Sequence, residues 1–276
     1  MRLIAYRTEG RDGLALSRGD DLLDLGPITL QGVLEAGPEA LAALDRQADR
    51  APALDTRAIR HRPPLPRPPK IICVGLNYAD HTKESPYQQP TYPTVFPRFA
   101  SSLIGHGDPI RRPLCSVQLD YEGELVAVIG KTARNVSEAD ALSCVFGYCT
   151  GQDFSERDQQ MRSGQWMLGK TGDGWGPIGP WLVTADQVDP ENLNLKTTVN
   201  GEQRQSANTK DMIFSVRQIV SFASRYMTLQ PGDLIFTGTP EGVIIGYPPE
   251  KRVWLKAGDK IISSIEKLGD LEFTLT

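Results

Sequence analysis

Residues 120–130 read DYEGELVAVIG: two glutamates one residue apart, then five apolar residues in a row. An uninterrupted apolar run of this length, rich in Val and Ile, predicts a strand covered on both faces rather than one with a wet side. Side chains two apart on a strand share a face, so Glu122 and Glu124 are aimed together at the mouth of that buried strand. At about 5 Å and an effective dielectric near 20 their repulsion is roughly 3 kcal/mol, a large part of a domain's net stability of about 5–15 kcal/mol. A shared proton, a basic partner or a divalent cation would offset it, and all-oxygen ligands favour Mg²⁺, Mn²⁺ or Ca²⁺ over zinc. A solvated, charged strand end is the alternative.

Outward from this strand the chain keeps a β character. Its 26 Gly and 21 Pro among 276 residues punctuate short runs rich in Val and Ile, which excludes a helical bundle. Predicted strands are KIICVGLN (70–77), VFPRF (95–99), LKTTVNGE (195–202), DLIFTGT (233–239), RVWLKAG (252–258) and KIISSIEKLGDLEFTLT (260–276). SVRQIVSFASRYM (215–227) predicts a helix with Ile219, Phe222, Ala223 and Tyr226 on one face, and SEADALS (137–143) a shorter one capped by Ser137. LQPGDLI (229–235) and LKAGDKI (255–261) share the pattern LxxGDxI, read as two similar strand starts. The chain opens with an apolar–polar alternation at 2–8 that predicts a hairpin, followed by TLQGVLEAG and PEALAALDRQA at helical spacing. Five prolines in HRPPLPRPPK (61–70) favour extended chain over a packed element. The expected division is a small α+β part at 1–60, a Pro-rich linker at 61–69 and a larger, mainly β part at 70–276.

With 30 basic and 34 acidic residues the formal charge is −4, which lacks the electrostatic footprint of a nucleic-acid or anionic-membrane binder. No apolar run approaches the roughly 20 residues that span a bilayer, and the first residues lack a signal-peptide core, so a cytoplasmic protein is expected. Cys73, Cys115, Cys144 and Cys149 form no CxxC pair and read as reduced thiols.

Three further segments carry chemistry. In GYCTGQDFSERDQQ (147–160) Asp153 is either a third oxygen ligand or a helix N-cap, and Arg157 follows one turn later, placed to pair with Asp153 or with a carboxylate substrate. In NYADHTKES (77–85) His81 and Glu84 are three apart and share a face if the segment is helical, the arrangement of an oriented general base. GQWMLGKT (164–171) satisfies GxxxxGK[ST], but polar sequence precedes it and a Gly- and Pro-rich stretch follows. A phosphate loop needs a buried strand and a helix in those places, so Lys170 is read as a lone amine directed into a pocket.

Taken in order, NYADHTKE, DYEGELVAVIGK, GQDFSERDxQ, GQWMLGKT and FTGTPEGV resemble the fumarylacetoacetate hydrolase family, over about three quarters of the chain from residue 70. The resemblance implies a mainly β fold with some α, a mixed β-sandwich roll beside a small α+β N-terminal domain, in a homodimer. It implies one divalent cation, Mg²⁺ first and Mn²⁺ or Ca²⁺ next, on Glu122, Glu124 and Asp153. His81 and Glu84 match the water-activating pair and Lys170 the lysine that steadies the departing enolate, while Arg157, Gln160 and Thr239 match substrate-binding positions. The implied activity is hydrolysis of a C–C bond in a 2,4-dioxo acid of acylpyruvate type. Decarboxylation, isomerisation or hydration of a 2-oxo acid is the alternative on the same site, and a catalytically silent β-rich binding protein is the non-enzyme one. The chain departs from many relatives where GVG is replaced by GVIIGYPPEKR (242–252), which puts the local pocket shape in question.

Overall fold

The computed structural model describes residues 1–8, 10–19, 21–79, 89–112 and 116–276. His81 and Glu84 lie outside the described residues, as does Cys115. Among the described residues the main sheet has eleven strands. Its path runs Asp21–Asp24, Arg11–Arg18, Arg2–Thr8, Gly176–Thr184, Val145–Gln152, Gly123–Ile129, Leu234–Phe236, Ile71–Gly75 and Thr94–Pro97. It is mixed, because Leu234–Phe236 runs parallel to Ile71–Gly75 while its other neighbour, Gly123–Ile129, is antiparallel to it. A second, four-stranded antiparallel sheet orders Glu202–Asn208, Asn194–Val199, Lys260–Ile265 and Gly269–Thr274.

Strand Gly123–Ile129 is buried at every residue, and its two faces serve different cores. Leu125, Ala127 and Ile129 pack with Leu195 and Ile265 of the second sheet and with Val216, Ile219, Val220 and Ala223 of helix Val216–Tyr226. Val126 and Val128 turn the other way, toward Leu3, Leu14, Leu16, Val33, Leu44 and Leu65. A fully buried Val, Leu or Ile contributes roughly 1.5–3 kcal/mol, so this strand alone supplies more than the carboxylate repulsion at its mouth takes away.

Local signals explain the element ends. Ser215 and Gln218 form a reciprocal capping box at the helix start, and the Ser137 side chain accepts from Asp140 N. In both LxxGDxI segments the aspartate folds back on the turn: Asp233 Oδ2 accepts from Gln230 N at 2.7 Å, and Asp259 Oδ2 from Lys256 N at 2.9 Å. The intervening Gly232 and Gly258 both sit at φ 91°, a left-handed conformation that glycine adopts without strain.

Three expectations are corrected. Residues 252–258 form no strand; Leu255 is a single buried anchor whose N–H reaches Leu119 O. On helix Val216–Tyr226 the buried stripe is Val216, Ile219, Val220 and Ala223, whereas Tyr226 is 70% exposed and meets the Phe222 ring at a tilt, 5.1 Å between centroids, on the outer side. The proline-rich stretch is packed as well as extended. Arg60–Arg62 pairs with Arg2–Thr8, and Pro63, Pro64 and Leu65 are buried. Proline lacks the N–H for a ladder bond, but its ring is apolar and fills core space.

The N-terminal strands extend the main sheet through Arg2↔Val183 and Leu3↔Leu182. We therefore propose 61–69 as a boundary along the chain, between parts that share a sheet. Limited proteolysis that cuts at 61–69 should leave two fragments that co-elute in gel filtration; fragments that elute apart, each folded, would refute the shared-sheet reading.

His61 yields a second prediction. Its ring meets His106 at 5.0 Å between centroids, and its buried Nδ1 has no hydrogen-bond partner among the described residues. Burial, reinforced by the neighbouring imidazole, pushes its pKa down to about 4. The folded state thus holds His61 neutral while the unfolded chain, with a pKa near 6.5, takes up a proton first. Its stability contribution is fully present above about pH 6.5 and is lost as the pH falls toward 4. The unfolding temperature of His61→Gln should decline less than wild type across that window. Identical declines would exclude His61 as the responsible group.

Candidate metal centre

The register of the two central strands assembles the acidic cluster. Glu124 lies opposite Gly151 and Gly123 opposite Gln152, so the next step along the ladder sets Asp153 across from Glu122, with Asp153 N donating to Glu122 O at 3.0 Å. Ligand oxygens of Glu122, Glu124 and Asp153 all lie within 4.8 Å of one another, and all three residues are buried. Gly123 between the glutamates admits no side chain, since a Cβ there would stand 2.3 Å from Thr197 Oγ1. Asp153 is not an N-cap. Three residues, Phe154 and the two strand residues Ser155 and Glu156, separate it from the short helix Arg157–Gln160.

Basic groups meet this cluster from three directions. Lys170 Nζ stands 2.6 Å from Glu122 Oε2 and 2.9 Å from Asp153 Oδ2. Burial works against its charge, but the Asp153 and Glu122 carboxylates outweigh that, and its pKa is raised. Arg157 pairs with Asp120 (2.9 Å) and Glu122 (2.7 Å), not with Asp153, and donates to Gln160 Oε1 at 2.8 Å. The buried Arg98 guanidinium pairs with Asp153 Oδ1.

Asp120, Glu122, Glu124 and Asp153 thus face Arg98, Arg157 and Lys170, four acids against three bases. The excess falls on Glu124, whose carboxylate accepts from Gly238 N at 2.8 Å and pairs with no described base. Burial first, then the facing Asp153 and Glu122, push its carboxyl well above the ordinary range. Three hard, converging oxygen donors with one under-compensated charge fit a divalent cation.

The cluster forms the floor of a pocket of about 550 Å³, counted with its open mouth, which Arg157, Gln160, Lys170 and Thr239 also line. Phe96 and Trp166, edge-to-face at 5.6 Å, make an aromatic wall, and Lys170 Nζ lies 5.3 Å from the Phe96 ring. Gly75 is required beneath Trp166, where a Cβ would come within 2.4 Å of the indole. The Thr239 hydroxyl donates to Gly123 O and accepts from Gln205 Nε2, so it braces the segment that carries the glutamates. Lys170 follows a single 3₁₀ turn and leads to strand Gly176–Thr184, not to the helix of a phosphate loop.

Asp120 and Arg98 were not singled out from the sequence. Asp120 accepts from the backbone N–H groups of Tyr121, Ile244 and Ile245 and from Arg157 Nε. It thereby docks the divergent GVIIG segment, whose Ile245 lines the pocket. The available signal was its place in the same string as the two glutamates. For Arg98 it was a lone cation in the apolar run VFPRF.

Comparison with known proteins identifies the family. A family model of the fumarylacetoacetate (FAA) hydrolase C-terminal domain matches residues 70–276. An oxaloacetate tautomerase of Xenopus laevis, named as mitochondrial, is 41% identical over 98% of this chain and 88% of its own. A human counterpart is 40% identical over 98% and 90%. The fumarylacetoacetate hydrolase of Exiguobacterium antarcticum superposes with a TM-score of 0.90 at 40% identity, covering 100% of this chain and 99% of that one. Maleylpyruvate hydrolase of Sphingobium sp. SYK-6, solved with manganese(II) and pyruvate, gives 0.83 at 30% identity over 100% and 99%. No helix among the described residues is long and apolar enough to cross a membrane. On sequence, fold and coverage alike, the chain belongs to the fumarylacetoacetate hydrolase family, whose members are enzymes.

Proposed function

We propose that the chain is a divalent-metal-dependent enzyme acting on short 2-oxo acids through their enolates, with keto–enol tautomerisation of oxaloacetate as its reaction. The observation that carries this reading is the convergence of Glu122, Glu124 and Asp153 with Lys170 at the floor of one pocket. The choice of reaction is supported by the oxaloacetate tautomerases that match almost the whole chain. Hydrolysis of a 2,4-dioxo acid is the second reading, favoured by the likeness to maleylpyruvate hydrolase.

In both reactions negative charge moves onto the 2-oxo oxygen. A cation held by Glu122, Glu124 and Asp153 would supply Lewis-acid stabilisation of that charge, with Mg²⁺ or Mn²⁺ the ions of suitable chemistry. Lys170, kept protonated by its acidic neighbours, can donate a hydrogen bond to an oxygen gaining charge beside it. Arg157 and Gln160 orient the substrate carboxylate from the pocket wall, and Thr239 fixes the backbone beneath. Phe96 and Trp166 exclude water on one side, which strengthens each of these interactions. His81 and Glu84 are assigned as the base pair that removes the C3 proton or, in hydrolysis, activates water.

The two reactions differ in products. With Mn²⁺ or Mg²⁺ the enzyme should speed the decay of the oxaloacetate enol absorbance without releasing CO₂ or pyruvate. Faster cleavage of acylpyruvates into two acids would transfer the assignment to hydrolysis. His81→Ala should keep metal binding and lose about 10²- to 10⁴-fold in turnover; full activity would remove His81 from the mechanism.

Calorimetry on chelator-treated protein tests the ligands themselves. Wild type should bind one Mn²⁺, and Glu124→Ala should bind it far more weakly. Equal affinity in the two would eliminate the site.

A further inference from the structure

We infer that Arg98 is a positioning residue for the metal centre: it clamps one oxygen of Asp153 and so aims the other, Oδ2, at the pocket floor. The inference rests on the reading of Asp153 as a metal ligand. Arg98 leaves the end of strand Thr94–Pro97 and points inward, with a fully buried side chain. Its Nη1 donates to Asp153 Oδ1. Its Nη2 reaches Trp175 O at 3.0 Å and Phe154 O at 3.5 Å, the latter the residue after Asp153. The Phe236 ring lies 6.0 Å from the guanidinium carbon. Asp153 Oδ2 meanwhile lies 2.9 Å from Lys170 Nζ, beside Glu122.

This division of labour fixes the rotation of the Asp153 carboxylate. One oxygen is bound by a planar fork whose second arm is tied to backbone carbonyls, so the fork cannot swing with the side chain. The neighbouring Phe99 N donates to Thr171 Oγ1 at 2.9 Å, which ties the same turn to the segment carrying Lys170. A short piece of chain, 98–99, therefore holds both Asp153 and the segment carrying Lys170 in place. A lysine at 98 would keep the charge and lose the fork.

Charge alone and positioning make opposite predictions. If Arg98 is merely a nearby positive charge, its removal should tighten cation binding, because like charges repel. If it positions Asp153, removal should weaken binding, by about 10- to 100-fold for a group that orients a ligand. The experiment is Mn²⁺ titration by calorimetry and electron paramagnetic resonance on the full-length enzyme, comparing wild type, Arg98→Met, Arg98→Lys, Asp153→Asn and Arg98→Met/Asp153→Asn. Expected are a 10- to 100-fold loss in Arg98→Met, an intermediate loss in Arg98→Lys, and no further loss when Arg98→Met is added to Asp153→Asn. Unchanged or tighter binding in Arg98→Met overturns the inference, as does an equal loss in the Asp153→Asn background. If Arg98→Met lacks a cooperative unfolding transition, Arg98→Lys decides, and wild-type affinity there overturns the inference. Failure of wild type to bind Mn²⁺, or an Asp153→Asn that binds it normally, overturns the underlying site along with it. A weakened Asp153→Asn beside a normal Arg98→Met sinks only the role given to Arg98.

Discussion

Four carboxyl groups taken out of water in one place are the constraint around which this molecule is arranged. Burying a single ion costs several kcal/mol even after relaxation, and it is sustained only when partners supply opposite charge and hydrogen bonds. Here Asp120 is satisfied by three backbone N–H groups and Arg157. Asp153 is met by Arg98 and Lys170, and Glu122 by Lys170 and Arg157. Each partner arrives from a different part of the chain, so the tertiary fold is a condition for the cluster to exist. Glu124 is left with the smallest share of compensation, and it is there that a cation has most to gain.

The hydrophobic strand behind the cluster makes that arrangement tolerable. Residues 125–129 are buried on both faces between two cores, a rigid backing that holds the glutamates at fixed spacing. Rigidity matters because the charges repel: a flexible mouth would relax by splaying the carboxylates into solvent. The bracing of Gly123 by Thr239 and Gln205 serves the same end.

Much of this was legible in the sequence because it is local. The doubly buried strand follows from five apolar residues in a row, the helix from apolar residues at helical spacing, and the two similar strand starts from the shared LxxGDxI pattern. The alignment of Glu122 and Glu124 follows from strand periodicity. What was not legible depends on distant pairing. Arg157 one turn after Asp153 suggested an ion pair between them, but the intervening strand residues swing Arg157 toward Asp120 and Glu122, and Asp153 is taken by Arg98, 55 residues earlier in the chain. The strand expected at 252–258 fails because Leu255 alone among its apolar residues is buried and the segment makes isolated backbone bonds in place of a ladder. Phe222 and Tyr226 fit the helical period but lie on its outer side, since period alone does not say which stripe the neighbouring sheet will cover.

The two faces of strand Gly123–Ile129 also bear on how such a protein can diverge. One face rests on leucines from the first 65 residues, which contribute no described group to the pocket, and the other on the second sheet and its helix. The N-terminal segment is thus answerable to the reaction through the space it fills. Its sequence is free to drift while the volume against Val126 and Val128 is conserved, whereas the opposite side must keep both volume and the polar braces on Gly123. Substitution rates on the two sides of a single strand should differ for that reason, making the strand a seam between a tolerant half of the molecule and an intolerant one.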